Sequence, residues 1–235
     1  IWNRRLTNGE IKAVYEAGTV GRGLDQLDST PYTAYTWAVL KDNPRFYWNF
    51  NEPVSTANAV DLVRHQANDE LVRQGDSRRA EGLSANLGPA ARFDGNDAFA
   101  AAALNDRQMP GAWAVEMWIQ AEGDLSGARQ DYLLNAGGSG ATGGDSPAVR
   151  CDFGGDNKLE LASADGSTGG PSLGDNNWHH LVLTYYGNGT FGVADRVDMA
   201  LDGVVTANVP RNGFSSNFDL NGALRIGAQY ADGTA

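Results

Sequence analysis

The sequence predicts an all-β fold in which two antiparallel sheets pack face to face as a sandwich, preceded by one short N-terminal helix. The chain has 235 residues, of which 30 are glycine and 20% are charged, a composition that suits a loop-rich β protein with one core. Short alternating runs recur at the spacing of sandwich strands, and each ends at a Gly, Asn or Asp turn. The pair Asp202-Gly203 between two such runs is a strong hairpin signal.

The helix is predicted near the start of the chain. Thr7 and Glu10 have the spacing of a capping box. They are followed by an apolar stripe at helical spacing, formed by Ile11, Val14 and Tyr15. Residues 1–18 are therefore interpreted as a strand remnant followed by one helix.

Residues 19–43 are rich in Gly, Thr, Asp and Tyr without a sustained period, and they end at the turn signal Asn43-Pro44. We interpret them as a linker. Three aromatic residues in it have two open interpretations, either stacking on sugar rings or docking the linker onto the sandwich: Tyr32, Tyr35 and Trp37.

The sandwich itself is predicted over residues 44–235. Its first strand is indicated by alternation from Arg45, with Phe46, Trp48 and Phe50 on one face. Residues 54–90 are polar, and there Val60–Val63 could start a helix while Leu71–Gly75 fits a short edge strand equally well. Further strands are predicted at Ala91–Asp94, Ala112–Gln120, Tyr132–Ala136, Val149–Phe153, Leu159–Ala162, Trp178–Tyr186, Val197–Asp202, Val204–Val209 and Leu224–Ala228.

Charge and cysteine content exclude some classes of function. The net charge is -11 and no Lys/Arg cluster is present, so the electrostatic attraction on which nucleic-acid affinity mostly depends is missing. No apolar run approaches the roughly 20 residues that a membrane span needs. The single cysteine, Cys151, permits no intrachain disulfide and leaves the compartment open.

Six motifs in this order resemble a laminin-G-like domain, a laminin-G/pentraxin-type jelly roll of the concanavalin A-like lectin/glucanase superfamily. They are FYWNFNE from Phe46, ARFDGND from Ala91, WAVEMWI from Trp113, WHHLVLTY from Trp178, MALDG from Met199 and LRIG from Leu224. The resemblance covers roughly residues 44–235 and implies a two-sheet antiparallel jelly-roll sandwich. It also implies an extracellular or cell-surface location.

Such domains continue after the Ile-Gly strand end into a last strand and a capping helix, whereas this chain ends at Ala235. Residues 1–18 resemble that closing segment. Either the chain is a window across two tandem domains, or residues 1–18 supply the missing strand to their own sandwich or to a neighbouring copy. The residues predicted to pair and pack in this assembly segment are Ile1, Trp2, Leu6, Ile11 and Tyr15.

The resemblance also implies calcium at one rim of the sandwich, between the loops at 137–145 and 229–232. The candidate ligands are Asp145, Gln229 and Asp232, whose carboxylate and amide oxygens suit calcium. Ordinary solvated turns are the alternative interpretation of these residues.

Catalysis is not expected. Glu116, Glu122 and Asp124 are the acidic residues near a strand, but the run from Glu116 to Gln120 offers one carboxylate on its face, whereas a glycosidase needs two. His179 and His180 are adjacent on a strand and point to opposite faces.

The sequence therefore predicts a noncatalytic extracellular adhesion or carbohydrate/protein-binding module, part of a larger or repetitive surface protein. Its expected partners are a glycan or an extracellular protein and neighbouring copies of itself. Two alternatives stay open, a structural subunit that assembles head to tail through residues 1–18, and a glycan hydrolase or lyase.

Overall fold

The computed structural model describes residues 1–2, 4–19, 34–50, 58–63, 70–74, 78–80, 82–84, 87–93, 99–102, 108–110, 112–122, 130–137, 148–152, 158–163, 166–173, 175–186, 196–210, 217–219 and 223–227. Two helices lie in this part of the chain, α1 (Asn8–Thr19) and α2 (Ala34–Lys41). The strands follow α2 and pair antiparallel throughout. Their bounds are β1 (Val72–Gln74), β2 (Arg78–Ala80), β3 (Ala90–Arg92), β4 (Phe99–Ala102), β5 (Gln108–Pro110), β6 (Trp113–Gln120), β7 (Gln130–Gly137), β8 (Ala148–Asp152), β9 (Lys158–Ser163), β10 (Gly166–Ser172), β11 (Trp178–Tyr185), β12 (Arg196–Leu201), β13 (Val204–Pro210), β14 (Asn217–Asp219) and β15 (Ala223–Ile226).

Two large sheets form the body of the protein. One has the order β1-β4-β15-β7-β8-β9-β10 and the other the order β13-β12-β11-β6, with two small two-stranded sheets beside them. The predicted all-β fold of antiparallel sheets is confirmed. The hairpin at Asp202-Gly203 is present as well, and both residues have positive φ, 52° and 78°, as a type I′ turn requires.

The main core lies between the two large sheets. Alternate residues of the four-stranded sheet point into it, among them Trp113, Leu181 and Met199, all at most 1% exposed. Leu134 and Leu224 meet them from the seven-stranded sheet. This is the buried apolar layer that holds a sandwich together.

The other face of the four-stranded sheet is covered by the helices. A second apolar cluster joins this face to the N-terminal part of the chain: Trp2, Leu6, Ile11, Tyr35, Val39, Ala114, Val182 and Ala200. Both faces of the four-stranded sheet are therefore covered here, one by the seven-stranded sheet and the other by the helices. The molecule has three layers here, helices, four strands and seven strands.

The N-terminal segment pairs within its own chain. Trp2 and Ala114 form an antiparallel bridge beside β6, so Trp2 extends the four-stranded sheet at that edge. The Ile1 nitrogen donates to the Phe46 carbonyl at 2.7 Å, and the Arg45 nitrogen donates to the Ile1 carbonyl at 2.6 Å. Exchange of this segment between copies stays a prediction.

The capping box of α1 is confirmed. The Glu10 nitrogen donates to Thr7 Oγ1 at 3.2 Å, and the Thr7 nitrogen donates to Glu10 Oε2 at 2.7 Å. Arg4 adds two hydrogen bonds to the same carboxylate, of 2.9 and 3.1 Å. Because Arg4 donates to it, the pKa of Glu10 lies below its usual value.

The prediction of a single helix misses α2, which lies in the segment predicted as a linker. Four of its eight residues are aromatic or β-branched, and they give a weak helical signal. Burial of Tyr35 and Val39, one helical turn apart, stabilises the helix instead. It ends where Asn43 adopts a left-handed φ of 51° before Pro44.

The predicted first strand at 45–50 is wrong as a strand, although its alternation holds. Phe46, Trp48 and Phe50 face the main core, while Tyr47 packs on the helical side. The backbone of this segment does not pair with a single neighbouring strand. The Phe46 nitrogen donates to the Ile1 carbonyl, whereas the Tyr47 nitrogen donates to the Asp61 side chain.

Candidate functional site

A buried polar cluster lies under the helices on the outer face of the four-stranded sheet. β6 contributes Glu116 and β11 contributes His180, and the pairing of His180 with Trp118 and of Val182 with Glu116 makes the two residues diagonal neighbours on one face. α2 lies above them and contributes Tyr35. Each side chain therefore comes from a different element.

One carboxylate oxygen joins the three residues. His180 Nε2 lies 2.9 Å from Glu116 Oε1, and the Tyr35 hydroxyl donates a short hydrogen bond to the same oxygen. The side chains of His180 and Glu116 are 0% and 3% exposed. Burial, followed by the nearby Glu116 charge, raises the pKa of Tyr35 well above its usual value, so its hydroxyl stays a donor.

Two polar atoms of the cluster have no partner in the described part of the chain. They are Glu116 Oε2 and His180 Nδ1, both shielded from solvent. A buried polar group left without a hydrogen bond costs about 1–3 kcal/mol. The cluster therefore has unused capacity for one donor at the carboxylate and one further partner at the imidazole.

Aromatic rings form the side of the cluster that reaches the surface. Tyr15 of α1 stacks on Trp118 with 5.9 Å between ring centroids and 13° between planes. Both rings also approach the His180 ring, Trp118 at 5.0 Å and Tyr15 at 5.8 Å. Tyr15 and Trp118 are only partly buried, so this stack separates the polar cluster from solvent.

A second polar group lies at the start of β11, around the side chain of His179. His179 Nε2 lies 2.8 Å from Asp175 Oδ1, and His179 Nδ1 lies 2.9 Å from Asp202 Oδ2. Burial lowers the pKa of His179, but the two carboxylates outweigh it and the net pKa is raised. Hydrogen bonds from Asn177 and then His179 lower the pKa of Asp175. Through His179, these contacts hold the turn before β11 against the β12–β13 hairpin.

The sequence-predicted residues fall into two sets. Asp145, Gln229 and Asp232 lie outside the described residues, so calcium at the rim stays a prediction. The assembly residues are all placed, and among them Tyr15 reaches the polar cluster. Within the described ranges no three His, Cys, Asp or Glu side chains are grouped so that they could hold a metal ion.

The acidic residues considered for catalysis do not converge in the part that the structure describes. Glu122 is exposed and pairs with Arg92 at 2.8 Å, and Asp124 is not among the described residues. Asp198 shares the outer face with Glu116 but lies two strands away, roughly 10 Å or more at normal strand spacing. Retaining glycosidases hold their carboxyl groups about 5 Å apart.

Sequence reasoning missed the polar cluster itself. Glu116 and His180 were each considered alone, and Tyr35 was placed in a linker. One signal in the sequence could have brought the two residues together. WAVEMWI and WHHLVLTY are both predicted strands, and pairing them antiparallel as neighbours puts Glu116 and His180 on one face. Nothing in the sequence pattern points to Tyr35, which is 81 positions from Glu116.

Comparison with known proteins identifies the family. A family model for a laminin G-like domain of the concanavalin A-like lectin/glucanases superfamily matches residues 93–235. The chain belongs to this family. A search of curated proteins finds no match.

Solved structures are similar to this chain at low sequence identity, and two of them have TM-scores above 0.5. The binding domain of botulinum neurotoxin serotype D has a TM-score of 0.51 and 13% identity, over 77% of this chain and 43% of that one. The serotype D/C binding domain has a TM-score of 0.51 and 11% identity, over 80% and 46%. Domains LG4-5 of the mouse laminin alpha1 chain have a TM-score of 0.44 and 15% identity, over 65% and 37%. The chain thus spans less than half the length of each of these structures.

No helix in the described ranges is both long and apolar enough to cross a membrane.

Proposed function

We propose that this chain is a noncatalytic carbohydrate-binding module that acts outside the cell or at a cell surface. The observation that carries the proposal is the match of residues 93–235 to a laminin G-like domain of the concanavalin A-like lectin/glucanases superfamily. The similar serotype D structure is itself called a binding domain. Protein ligands and a role in adhesion are compatible with the same fold, which hosts unrelated binding functions.

The polar and aromatic groups of the outer face support binding of a sugar. Binding sites combine aromatic contact area with a few placed polar groups, and Trp118 lies beside Glu116 and His180. The noncatalytic part of the proposal is supported by the sheet itself, since the nearest described carboxylate on the same sheet face as Glu116, that of Asp198, is two strands away.

A glycan array probed with the labelled chain tests the proposal. Binding to a restricted set of glycans, competed by the same free sugars, is expected both with calcium and after chelation if the outer face is used. Loss of all binding on chelation would instead assign recognition to the rim loops.

Two results would contradict the proposal. The first is absence of binding to any glycan in either condition, with binding to an extracellular protein in its place. The second is release of reducing ends or unsaturated sugars from the bound glycans, which would make the chain a hydrolase or lyase.

A further inference from the structure

We propose that the outer face around Trp118 is a subsite for a neutral pyranose ring and that α1 covers it, with the Tyr15 ring in the place of the sugar. This inference rests on the proposed function and assigns a site to it. It predicts that the chain has a covered state, as described, and an open state in which Tyr15 has left Trp118.

The stacking geometry is the first argument. Tyr15 lies nearly parallel to Trp118, 13° between planes, on the partly exposed side of the cluster. A pyranose chair presents an apolar face of C–H groups that is similar in area to a phenol ring, and the face of an indole offers apolar contact area for either. The position over Trp118 is therefore already shaped for a six-membered ring.

The unpartnered polar atoms are the second argument. Glu116 Oε2 and His180 Nδ1 are buried without hydrogen bonds in the described part of the chain. The other polar atom of each side chain is satisfied, because Glu116 Oε1 and His180 Nε2 are hydrogen-bonded to each other. The tyrosine ring over Trp118 does not satisfy them. Sugar hydroxyls both donate and accept, so one could donate to Glu116 Oε2 and a second could donate to Nδ1 of neutral His180.

The charge of the site selects the class of sugar. Glu116 brings a carboxylate to the subsite, and the chain has a net charge of -11. A neutral hexose gains hydrogen bonds there, whereas a sugar acid adds a like charge close to Glu116. We therefore expect neutral hexoses to bind more tightly than sialylated ones.

The Tyr15 ring can be removed without detaching α1 from the sheet. Tyr15 packs over the hairpin at Gly203, where a Cβ atom would lie 3.2 Å from Tyr15 Cδ1. α1 is anchored instead by buried Leu6 and Ile11. Loss of the Tyr15 ring leaves those anchors in place, so it opens the space over Trp118 without removing α1.

The test compares Tyr15→Ala with the matched control Tyr186→Ala. Tyr186 also contacts the N-terminal segment, with the Arg5 guanidinium 5.4 Å from its ring centroid, but it lies six residues from His180 and does not stack on Trp118. Maltose, cellobiose, lactose and sialyllactose are titrated into each variant by calorimetry and tryptophan fluorescence. Tyr15→Ala is expected to raise affinity for the neutral disaccharides roughly tenfold, the effect of one stacking contact.

Two second-site variants assign the effect to the subsite. Adding Trp118→Ala to Tyr15→Ala is expected to abolish the gain, and adding Glu116→Gln, which keeps the shape of the side chain, is expected to reduce it severalfold. Circular dichroism checks that each variant is folded. If the variant with Trp118→Ala is unfolded, the variant with Glu116→Gln alone tests whether the gain in affinity comes from the subsite. Tyr15→Phe should behave as the wild type because the ring remains.

The outcomes separate this inference from the proposed function. If the wild type binds glycans on the array but neither Tyr15→Ala nor Tyr15→Ala with Trp118→Ala changes the affinity, the subsite is wrong and the proposed function stands. An equal gain in Tyr15→Ala and Tyr186→Ala also overturns the subsite, since loosening of the segment would explain both. If neither the wild type nor Tyr15→Ala binds any glycan, the proposed function fails and the subsite fails with it.

Discussion

Trp2 and Ala114 donate backbone hydrogen bonds to each other, 2.8 Å from Trp2 and 3.1 Å from Ala114. The pair adds the N-terminal segment to the edge of β6, where backbone groups would otherwise be unpaired. The Trp2 side chain is 1% exposed and packs in the same cluster as Leu6 and Ile11. The backbone pairing and the side-chain packing thus hold the same segment.

Replacing Trp2 with alanine should detach this segment. Loss of a fully buried tryptophan costs about 3–5 kcal/mol in the free energy of unfolding. Denaturant unfolding measures the loss, and limited proteolysis should cut the variant first within the N-terminal segment. The matched control is Trp37→Ala, because Trp37 is 39% exposed. Equal losses in the two variants would show that Trp2 is not part of a core.

Removing the cap of α1 should weaken the helix moderately. Thr7→Ala deletes the acceptor for the Glu10 nitrogen and is expected to cost about 1 kcal/mol. In a double-mutant cycle with Glu10→Ala the two losses should be less than additive, because the two residues bond to each other. Asn8→Ala, at an exposed position, is the control. Full additivity would contradict the reciprocal capping box.

The contacts of His179 with Asp175 and Asp202 should make the free energy of unfolding depend on pH. The folded pKa of His179 is raised above the unfolded value, so its contribution is fully present below about pH 6.5 and is lost as the pH rises through the folded pKa. Asp175 has a lowered pKa, so its contribution is present above its unfolded value and is lost at strongly acidic pH. The Tm of the wild type should therefore fall on the alkaline side more than that of His179→Gln. If Tm changes with pH in the same way in the two proteins, the contacts of His179 do not contribute to stability as described.

Placing a side chain at Gly203 should strain the β12–β13 turn and press on Tyr15. Its φ is 78°, and an added Cβ would lie 3.2 Å from Tyr15 Cδ1. Gly203→Ala is expected to cost about 1–2 kcal/mol from the left-handed backbone alone. The control Gly9→Ala lies in α1 with its nearest atom at 3.9 Å and should raise stability by up to about 1 kcal/mol. Thermal unfolding should give opposite signs for the two variants.

Calcium at the rim predicts a measurable heat of binding. Titration of the chelator-treated chain should give a Kd of about 0.1–1 mM, as for extracellular modules, and calcium at ten times that Kd should stabilise the fold by about 1.4 kcal/mol. Asp145→Asn and Asp232→Asn should each weaken binding, and Glu122→Gln, at an exposed ion pair, should not. No heat and no change in Tm with calcium would leave these residues as ordinary turn residues.

The sequence predicted the strands that alternate clearly and missed the elements that depend on tertiary contacts. β6, β11 and β12 have one apolar face, so period-two alternation predicts each of their ends to within one residue. β10 has the sequence GSTGGPS and no alternation, and it forms because its backbone pairs with β9. α2 depends on burial of Tyr35 and Val39 against a sheet formed by residues much later in the chain.

The candidate site was less predictable than the fold for the same reason. Glu116 and His180 lie on strands that were predicted, and their adjacency needs only the pairing of those strands. Tyr35 and Tyr15 come from segments whose position over the sheet no local pattern encodes. The resemblance to laminin-G-like domains points to the rim loops, whereas Glu116 Oε2 and His180 Nδ1 lie beneath the helices.

The bridge between Trp2 and Ala114 also constrains how the protein is made. Residues near the start of the chain leave the ribosome before β6 exists, and at 5–20 residues per second the delay is on the order of ten seconds. During that interval Trp2, Leu6 and Ile11 have none of their sheet contacts and expose their apolar side chains. A chaperone that binds short apolar segments could hold this one during the interval, and the sandwich can displace the chaperone only after β6 and β11 have paired.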